Sequence, residues 1–297
     1  MEWNQIVGFY YVAKLGGFTK AAESTFRTQS ALTHQVKSLE TELDCLLFER
    51  IGKRKIRLTP AGEKFFQFAE SLIEKYNYLI DDLNELKGQK RGQLKLAAPF
   101  TTLYHLLPER IRTYSQLHPW VELTLLDRPQ QDVLLLLKEG DIDFGLVLES
   151  IVPKGLNSLR WKETETVIMV PKGHPLAREA QVQLQQVAQY PLILPPRSAM
   201  GRTKLDELFS KLDIKYRVAM ESSNVELSSV YTEMGLGVSF ATLVKEHPNI
   251  EDRNLQFISL SHYLEADYVA LAMRKATSFP SYKANFVNVL FGNAKNS

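Results

Sequence analysis

Residue types and spacing first point to chemistry in Thr28-Gln29-Ser30-Ala31-Leu32-Thr33-His34-Gln35-Val36-Lys37. Leu32, Val36, Leu39 and Leu43 recur at steps of four, three and four, which predicts a helix with one buried stripe. On that helix Gln29, Ser30, Thr33, His34 and Lys37 fall on an outward stripe, with Thr28 as the capping residue before the first turn. Folding needs nothing so rich in groups that both donate and accept hydrogen bonds. Base edges do: a glutamine matches adenine bidentately, and a threonine methyl meets a thymine methyl. Ser30 and Thr33 are expected on bases or phosphates, and His34 and Lys37, one turn on, on phosphate or guanine. The competing interpretation is an ordinary solvated helix face.

A second cluster follows closely. Arg50-Ile-Gly-Lys53-Arg54-Lys55-Ile-Arg57 carries five cations in eight residues and no acid. Phe48, Ile56 and Leu58 around Gly52 suggest a β-hairpin with Arg50, Lys53, Arg54 and Lys55 on its exposed side. Such a wing attracts phosphate regardless of sequence, and the attraction weakens steeply with salt; by itself it could be a solvated charge run. The elements that must hold these groups are legible upstream. Ile6, Phe9, Tyr10 and Ala13 predict a first helix over 4–15 ending at Gly16-Gly17, and Thr19 is placed to cap a short second helix carrying Ala21, Ala22 and Phe26. Small alanines let the second and third helices approach as in a helix-turn-helix.

Thr59-Pro60 then starts a long helix. Phe65, Leu72, Tyr76, Leu79 and Leu83, with Ala69 and Leu86, form a heptad seam, and Phe66, Ile73 and Ile80 flank it. The length of this seam favours dimerisation over packing within one domain. Lys87–Gly92 is a polar, glycine-bounded hinge. Beyond it short apolar runs alternate with helical patterns: strands are expected at 93–98, 120–126, 142–147, 167–170, 191–194, 216–220, 237–241, 256–260 and 268–273, and helices over 103–117, 132–138, 202–212, 225–234 and near 280–291. This predicts an α/β fold with largely parallel sheets, divided between two small subdomains.

Composition narrows the function classes. Hydrophobic content of 44% and charged content of 24% fit an ordinary globular protein. The net charge of +2 says little about partners. A single cysteine, Cys45, fits a reducing cytoplasm, and no stretch suggests a secretion signal or a membrane span. No nucleophile elbow, phosphate loop or dinucleotide fingerprint appears, and the six histidines are scattered without metal-ligand spacing. No enzyme, cofactor or metal is therefore expected. A solute-binding protein that uses only the α/β half and a DNA-binding architectural protein that ignores ligands are the opposing classes.

Phe18-Thr-Lys-Ala21-Ala22-Glu, Thr28-Gln-Ser-Ala-Leu-Thr-His-Gln, Leu39-Glu40, Leu47-Phe48-Glu49-Arg50 and Leu58-Thr-Pro-Ala-Gly62 stand in an order and spacing that resemble the LysR-type transcriptional regulators. Weaker echoes are Leu107-Pro108, His118-Pro119, Gly140-Asp-Ile-Asp143, Gly173-His-Pro-Leu176 and Gly235-Leu-Gly237, so the resemblance covers Met1 to about Phe291. Ser30 and His34 depart from the proline and arginine that many members carry. The resemblance implies a winged helix-turn-helix over 1–58, a linker and dimerisation helix over 59–87, a hinge over 88–92 and an effector domain over 93–297, resembling type 2 periplasmic binding proteins. It implies a homodimer or homotetramer on a dyad-symmetric operator of double-stranded DNA, and a small-molecule effector. The family layout puts Phe100, Thr101, Thr102, Arg128, Leu148, Met200, Arg202, Ser222, Asn224 and Phe240 around the effector cleft. Leu148 and Met200 stand where anion-sensing relatives carry hydroxyl residues, which favours a small organic acid or an amino-acid-like ligand.

Overall fold

The computed structural model describes residues 1–51, 55–87, 91–197, 199–244, 253–275 and 279–292. They form two compact units, one of Met1–Gly92 with Ala276–Ala284, the other of Gln93–Lys275 with Asn285–Ser297.

In the first unit, α1 (Trp3–Lys14), α2 (Phe18–Ser24) and α3 (Gln29–Glu42) precede an antiparallel hairpin of β1 (Phe48–Ile51) and β2 (Lys55–Leu58). Ile6, Phe9, Tyr10, Val36, Leu39 and Leu47 make one core cluster, while Val12, Ala21, Ala22 and Leu32 make a second. The two buried alanines are what allow α2 to close on α3. Thr28 caps α3, its Oγ1 accepting from the Ala31 N–H at 3.2 Å. Three expectations are corrected. Thr19 lies inside α2, whose N-cap is Gly17 without a side-chain bond. Phe26 is 98% exposed at φ +54°, because the chain reverses there between α2 and α3 and the side chain leaves the core. Leu43 ends α3 as its C-cap and is exposed, since the helix stripe stops at Leu39.

The long helix α4 (Pro60–Leu86) starts where Thr59 Oγ1 accepts from the Gly62 N–H at 3.0 Å. Gly62 is obligatory by space, since a Cβ there would overlap the Leu47 carbonyl oxygen. The helix runs about 40 Å at ~1.5 Å per residue. Its first half is committed to its own head: Ala69 is buried, and Phe65, Phe66, Leu72 and Ile73 pack on the core around Phe9. Gly88 to Lys90 of the expected hinge lie outside the described residues, and Gly92 already opens β3.

The second unit is built on strands β3 (Gly92–Ala98), β4 (Val121–Asp127), β5 (Phe144–Leu148), β6 (Leu156–Pro171), β7 (Pro191–Leu194), β8 (Arg217–Glu221), β9 (Val238–Val244), β10 (Leu255–Ser259) and β11 (Asp267–Arg274). Their order is β4-β3-β5-β11-β6-β9-β7-β8, with β10 also on β6. Two lobes share the 16-residue β6: its first half pairs with β11, its second with β9 and β10. One lobe closes around Val133, Leu137, Ile142 and Val147, the other around Ile168, Leu192, Leu205, Phe209 and Phe240.

Helices α5 (Phe100–His105), α6 (Pro108–Leu117), α7 (Gln130–Glu139), α8 (Leu184–Val187), α9 (Met200–Lys211) and α10 (Val225–Glu233) cover the lobes, and α11 (Ser281–Phe291) ends the described chain. The expected helix over 103–117 is broken in two, because Pro108 has no N–H to continue α5 and instead starts α6. The sheet is mixed, not largely parallel. The β3–β5, β7–β8 and β7–β9 pairs run parallel, while β11–β5, β11–β6, β6–β9 and β10–β6 run antiparallel. Strands that carry the chain back between lobes reverse direction, and alternation of strand and helix does not reveal this. Among the described residues no helix is long and apolar enough to cross a membrane.

Candidate nucleic-acid interface and ligand cavities

The outward side of α3 carries Gln29, Ser30, His34 and Lys37 exposed, with Thr28 exposed at its cap and Thr33 half-buried. Among the described residues the side chains of Gln29, Ser30, His34 and Lys37 make no hydrogen bond, whereas Thr33 Oγ1 donates to the Gln29 carbonyl at 2.8 Å. Thr33 therefore offers its methyl and an oxygen lone pair outward, with its proton spent inward. The rest of α3 is bolted down, on its other faces and at its last turn. Arg27 reaches Gln35 Oε1 at 3.1 Å and Asn4 Oδ1 at 3.0 Å, and Gln5 Nε2 donates to Ser38 Oγ at 3.0 Å. Glu40 Oε1 accepts the Leu47 and Phe48 N–H groups at 2.8 and 3.1 Å, fixing the hairpin to α3. These positioning residues give no pattern in sequence, because each partner comes from another element. In the hairpin, Arg57 Nε donates to Glu49 Oε1 at 2.7 Å, so one of the five cations is neutralised across the strand pair. Lys53 and Arg54, and the side chains of Arg50 and Lys55, lie outside the described residues.

The expected seam on α4 divides. Phe65 and Leu72 belong to the head core, which corrects their assignment to a partner-facing row: Phe65 meets Phe9 edge-on at 5.0 Å. Tyr76, 45% exposed, rests on Trp3 at 4.5 Å, and Leu79 and Leu83 are 53% and 39% exposed.

Where the lobes of the second unit meet, two cavities adjoin, of about 450 and 190 Å³. Leu148, Thr164 and Thr242 line both. The larger adds Arg160, Lys204, Phe240 and Tyr268, the smaller Thr101, Thr102, His105, Gln130 and Ser223. Of the residues expected around a cleft, Thr101, Thr102, Leu148 and Phe240 are thus brought together. Others are not. Phe100 stacks on Tyr104 with ring centroids 5.4 Å apart. Arg128 is exposed and donates to the Asp127 carbonyl at 2.7 Å. Ser222 donates to the Asn224 carbonyl at 2.8 Å, and Asn224 caps α10 through the Leu227 N–H. The Met200 side chain lies outside the described residues.

Arg202 is corrected most sharply. It is 1% exposed and bonds Asp206 (2.8 Å), the Pro195 carbonyl (3.1 Å) and Glu221 (3.4 Å). Burial alone would lower its pKa, but the bonds to Asp206 and Tyr216 outweigh it and raise it. It braces the start of α9 and lines neither of the two cavities. Sequence reasoning missed Thr164 and Thr242, which sit on the strands that carry the chain between lobes, where an exposed threonine and a cavity threonine look alike. His105 of one lobe contacts Glu226 of the other through Nε2 and Oε1, both largely buried.

The sequence profile of the bacterial regulatory helix-turn-helix protein, lysR family, matches residues 3–63, and that of the LysR substrate binding domain matches residues 87–292. The HTH-type transcriptional regulator SsuR of Burkholderia cenocepacia is 26% identical over 273 residues, covering 91% of this chain and 88% of that protein. A full-length OxyR from Pseudomonas aeruginosa matches with a TM-score of 0.67 at 23% identity, covering 99% of this chain and 94% of that one. Full-length CbnR, solved with its target DNA, matches with a TM-score of 0.53 at 22% identity, covering 99% and 100%. The two structural likenesses show a shared fold.

Proposed function

The chain belongs to the LysR family of transcriptional regulators, with an effector-binding domain after its helix-turn-helix, and on that premise we propose that the exposed stripe of α3 reads operator DNA while a small metabolite in the paired cavities sets its activity. The observation that carries this reading is the contrast along and around α3: among the described residues the side chains of Gln29, Ser30, His34 and Lys37 are unoccupied over its first turns, while Arg27 holds Gln35 and Gln5 holds Ser38 on other faces and Glu40 anchors its last turn to the hairpin. A face held rigidly yet left without internal partners suits an external donor–acceptor pattern. The helix enters a major groove by its N-terminal turns, and Arg50, Lys53, Arg54 and Lys55 add sequence-independent attraction to phosphate. CbnR, with its target DNA, supports the same use of this fold. The protein acts in the cytoplasm as a homodimer or homotetramer on a dyad-symmetric site, and it performs no catalysis. Its functional divisions are 1–58, 59–87, 88–92 and 93–297.

The test is the double variant Gln29→Ala with Thr33→Ala, assayed on the DNA beside its own gene. The variant loses preference for the operator over random duplex by roughly 10- to 100-fold, and retains salt-sensitive nonspecific binding and its melting temperature. Loss of folding in place of loss of preference identifies the stripe as structural and defeats the proposal.

A further inference from the structure

The walls of the two cavities share an electrostatic property that restricts what they can hold. Each cation in them is already engaged. Arg160 Nε bonds Glu149 Oε2 at 2.6 Å, and its guanidinium lies 4.7 Å from the Tyr268 ring centre. Lys204 Nζ sits 3.4 Å from Ser150 Oγ and 3.8 Å from Asp267 Oδ2. Glu265 also lines the larger cavity and makes no ion pair among the described residues, so acids exceed bases in that wall. In the smaller cavity His105 is held by Glu226, whose Oε2 is buried without a partner among the described residues. Arg202, which is also on α9, is locked to Asp206 and Glu221.

The remaining polar groups are uncharged. Thr101, Thr102, Thr164 and Thr242 supply hydroxyls. Gln130 Oε1 already accepts the Leu148 N–H at 2.9 Å, which leaves its amide hydrogens to give. Thr164 is 3% exposed, lines both cavities, and its Oγ1 has no hydrogen-bond partner among the described residues. A buried hydroxyl is costly until something pairs with it. Hydroxyl and amide donors can hold one carboxylate. They cannot compensate a dianion taken out of water against a wall with surplus acid. That surplus instead matches an ammonium. Leu148, Ile151, Leu205 and Phe240 give the larger cavity an apolar side, and its volume of about 450 Å³ exceeds what a bare oxyanion fills.

We propose that the ligand is a zwitterion, an amino acid with an uncharged apolar side chain, its carboxylate on the threonine and glutamine donors and its ammonium towards the acidic wall. This deepens, and rests on, the reading of the cavities as the effector site. The experiment uses the full-length protein in calorimetric titrations and thermal shifts with L-leucine, L-methionine and L-phenylalanine, against 4-methylpentanoate, 3-methylbutylamine and sulfate. At least one of the amino acids binds; 4-methylpentanoate and 3-methylbutylamine bind at least ~10-fold more weakly than leucine or do not bind, and sulfate gives no shift. Thr164→Val and Thr101→Val each weaken the binding amino acid by roughly 10-fold, about the effect of one lost hydrogen bond, with circular dichroism unchanged. Sulfate or 4-methylpentanoate binding as tightly as the amino acids, or no binding by any of the three, overturns the zwitterion. Amino-acid binding indifferent to both threonine substitutions overturns the cavity reading itself, whereas sulfate binding abolished by them keeps the cavity and rejects only the ligand class.

Discussion

Asp206 accepts from Tyr216 Oη at 2.6 Å and from Arg202 Nε at 2.8 Å. Burial would push its pKa up, but the hydrogen bonds from Tyr216 and then Arg202 outweigh this and hold it below the ordinary 3.8. A carboxyl depressed on folding contributes stability that is complete above its unfolded value and is lost as pH falls through the folded one. Asp206→Asn should therefore lower the urea midpoint of the second unit at pH 7, and the gap from wild type should close as the pH drops below about 3.8; a gap that is constant with pH rejects the assignment. Arg202→Met, which removes the donor to Asp206, Glu221 and the Pro195 carbonyl, should cost about 1–2 kcal/mol in the same assay. At this scale the sequence is legible where a residue acts outward and opaque where it acts inward. Gln29 and Ser30 can be picked out because a polar residue at that spacing has no structural duty, whereas Thr101 is picked out only through the family resemblance. Arg202 looks equally functional at the head of a helix, and only the positions of Asp206, Glu221 and Tyr216 reveal that its charge is spent.

Among the elements, α4 shows what periodicity can and cannot convey. Its apolar rows repeat evenly from Phe65 to Leu86, yet the head takes Phe65, Ala69 and Leu72, while Leu79, Ile80 and Leu83 stay exposed. A repeat reports that a face is buried somewhere, not which neighbour buries each turn. The two halves should respond differently to charge. Leu79→Glu with Leu83→Glu should leave head and effector unit folded and convert the assembly to monomer in sedimentation; an unchanged assembly excludes this stretch as the self-association surface. Leu72→Glu should instead destabilise the head by several kcal/mol, seen as an early unfolding transition. Strand β6 is half legible for a related reason. Val167 to Val170 form a continuous apolar run because both faces are covered there, whereas 156–166 carries mostly polar residues where the strand passes between lobes.

For the whole molecule, the informative feature is how often the chain changes unit: after Gly92, after Lys275 and again after Ala284. The last change falls inside α11, a single helix over Ser281–Phe291. Its first turn belongs with the linker helix. Tyr282, 2% exposed, donates to Asp81 Oδ2 at 2.8 Å, and Lys283 Nζ lies 5.3 Å from the Tyr78 ring centre. Its later turns belong with the effector unit, where Phe286 meets Tyr114 edge-on at 5.3 Å and stacks on Phe144 at 5.6 Å. Nothing in the sequence couples Tyr282 to a residue 201 positions earlier, so from the sequence the hinge at 88–92 looks like the only covalent route between domains. α11 is one unbroken helix across that change of unit. Allosteric control requires that ligand and operator bias the same two-state element. Tyr282→Phe should therefore leave the affinity for the bound amino acid and for unliganded operator within about 2-fold, and at least halve the free-energy coupling between them, measured as the ratio of operator Kd with and without ligand. An unchanged ratio would assign the coupling to the 88–92 connection instead, and equal losses in both affinities would mark Tyr282 as a stabilising residue with no part in the signal.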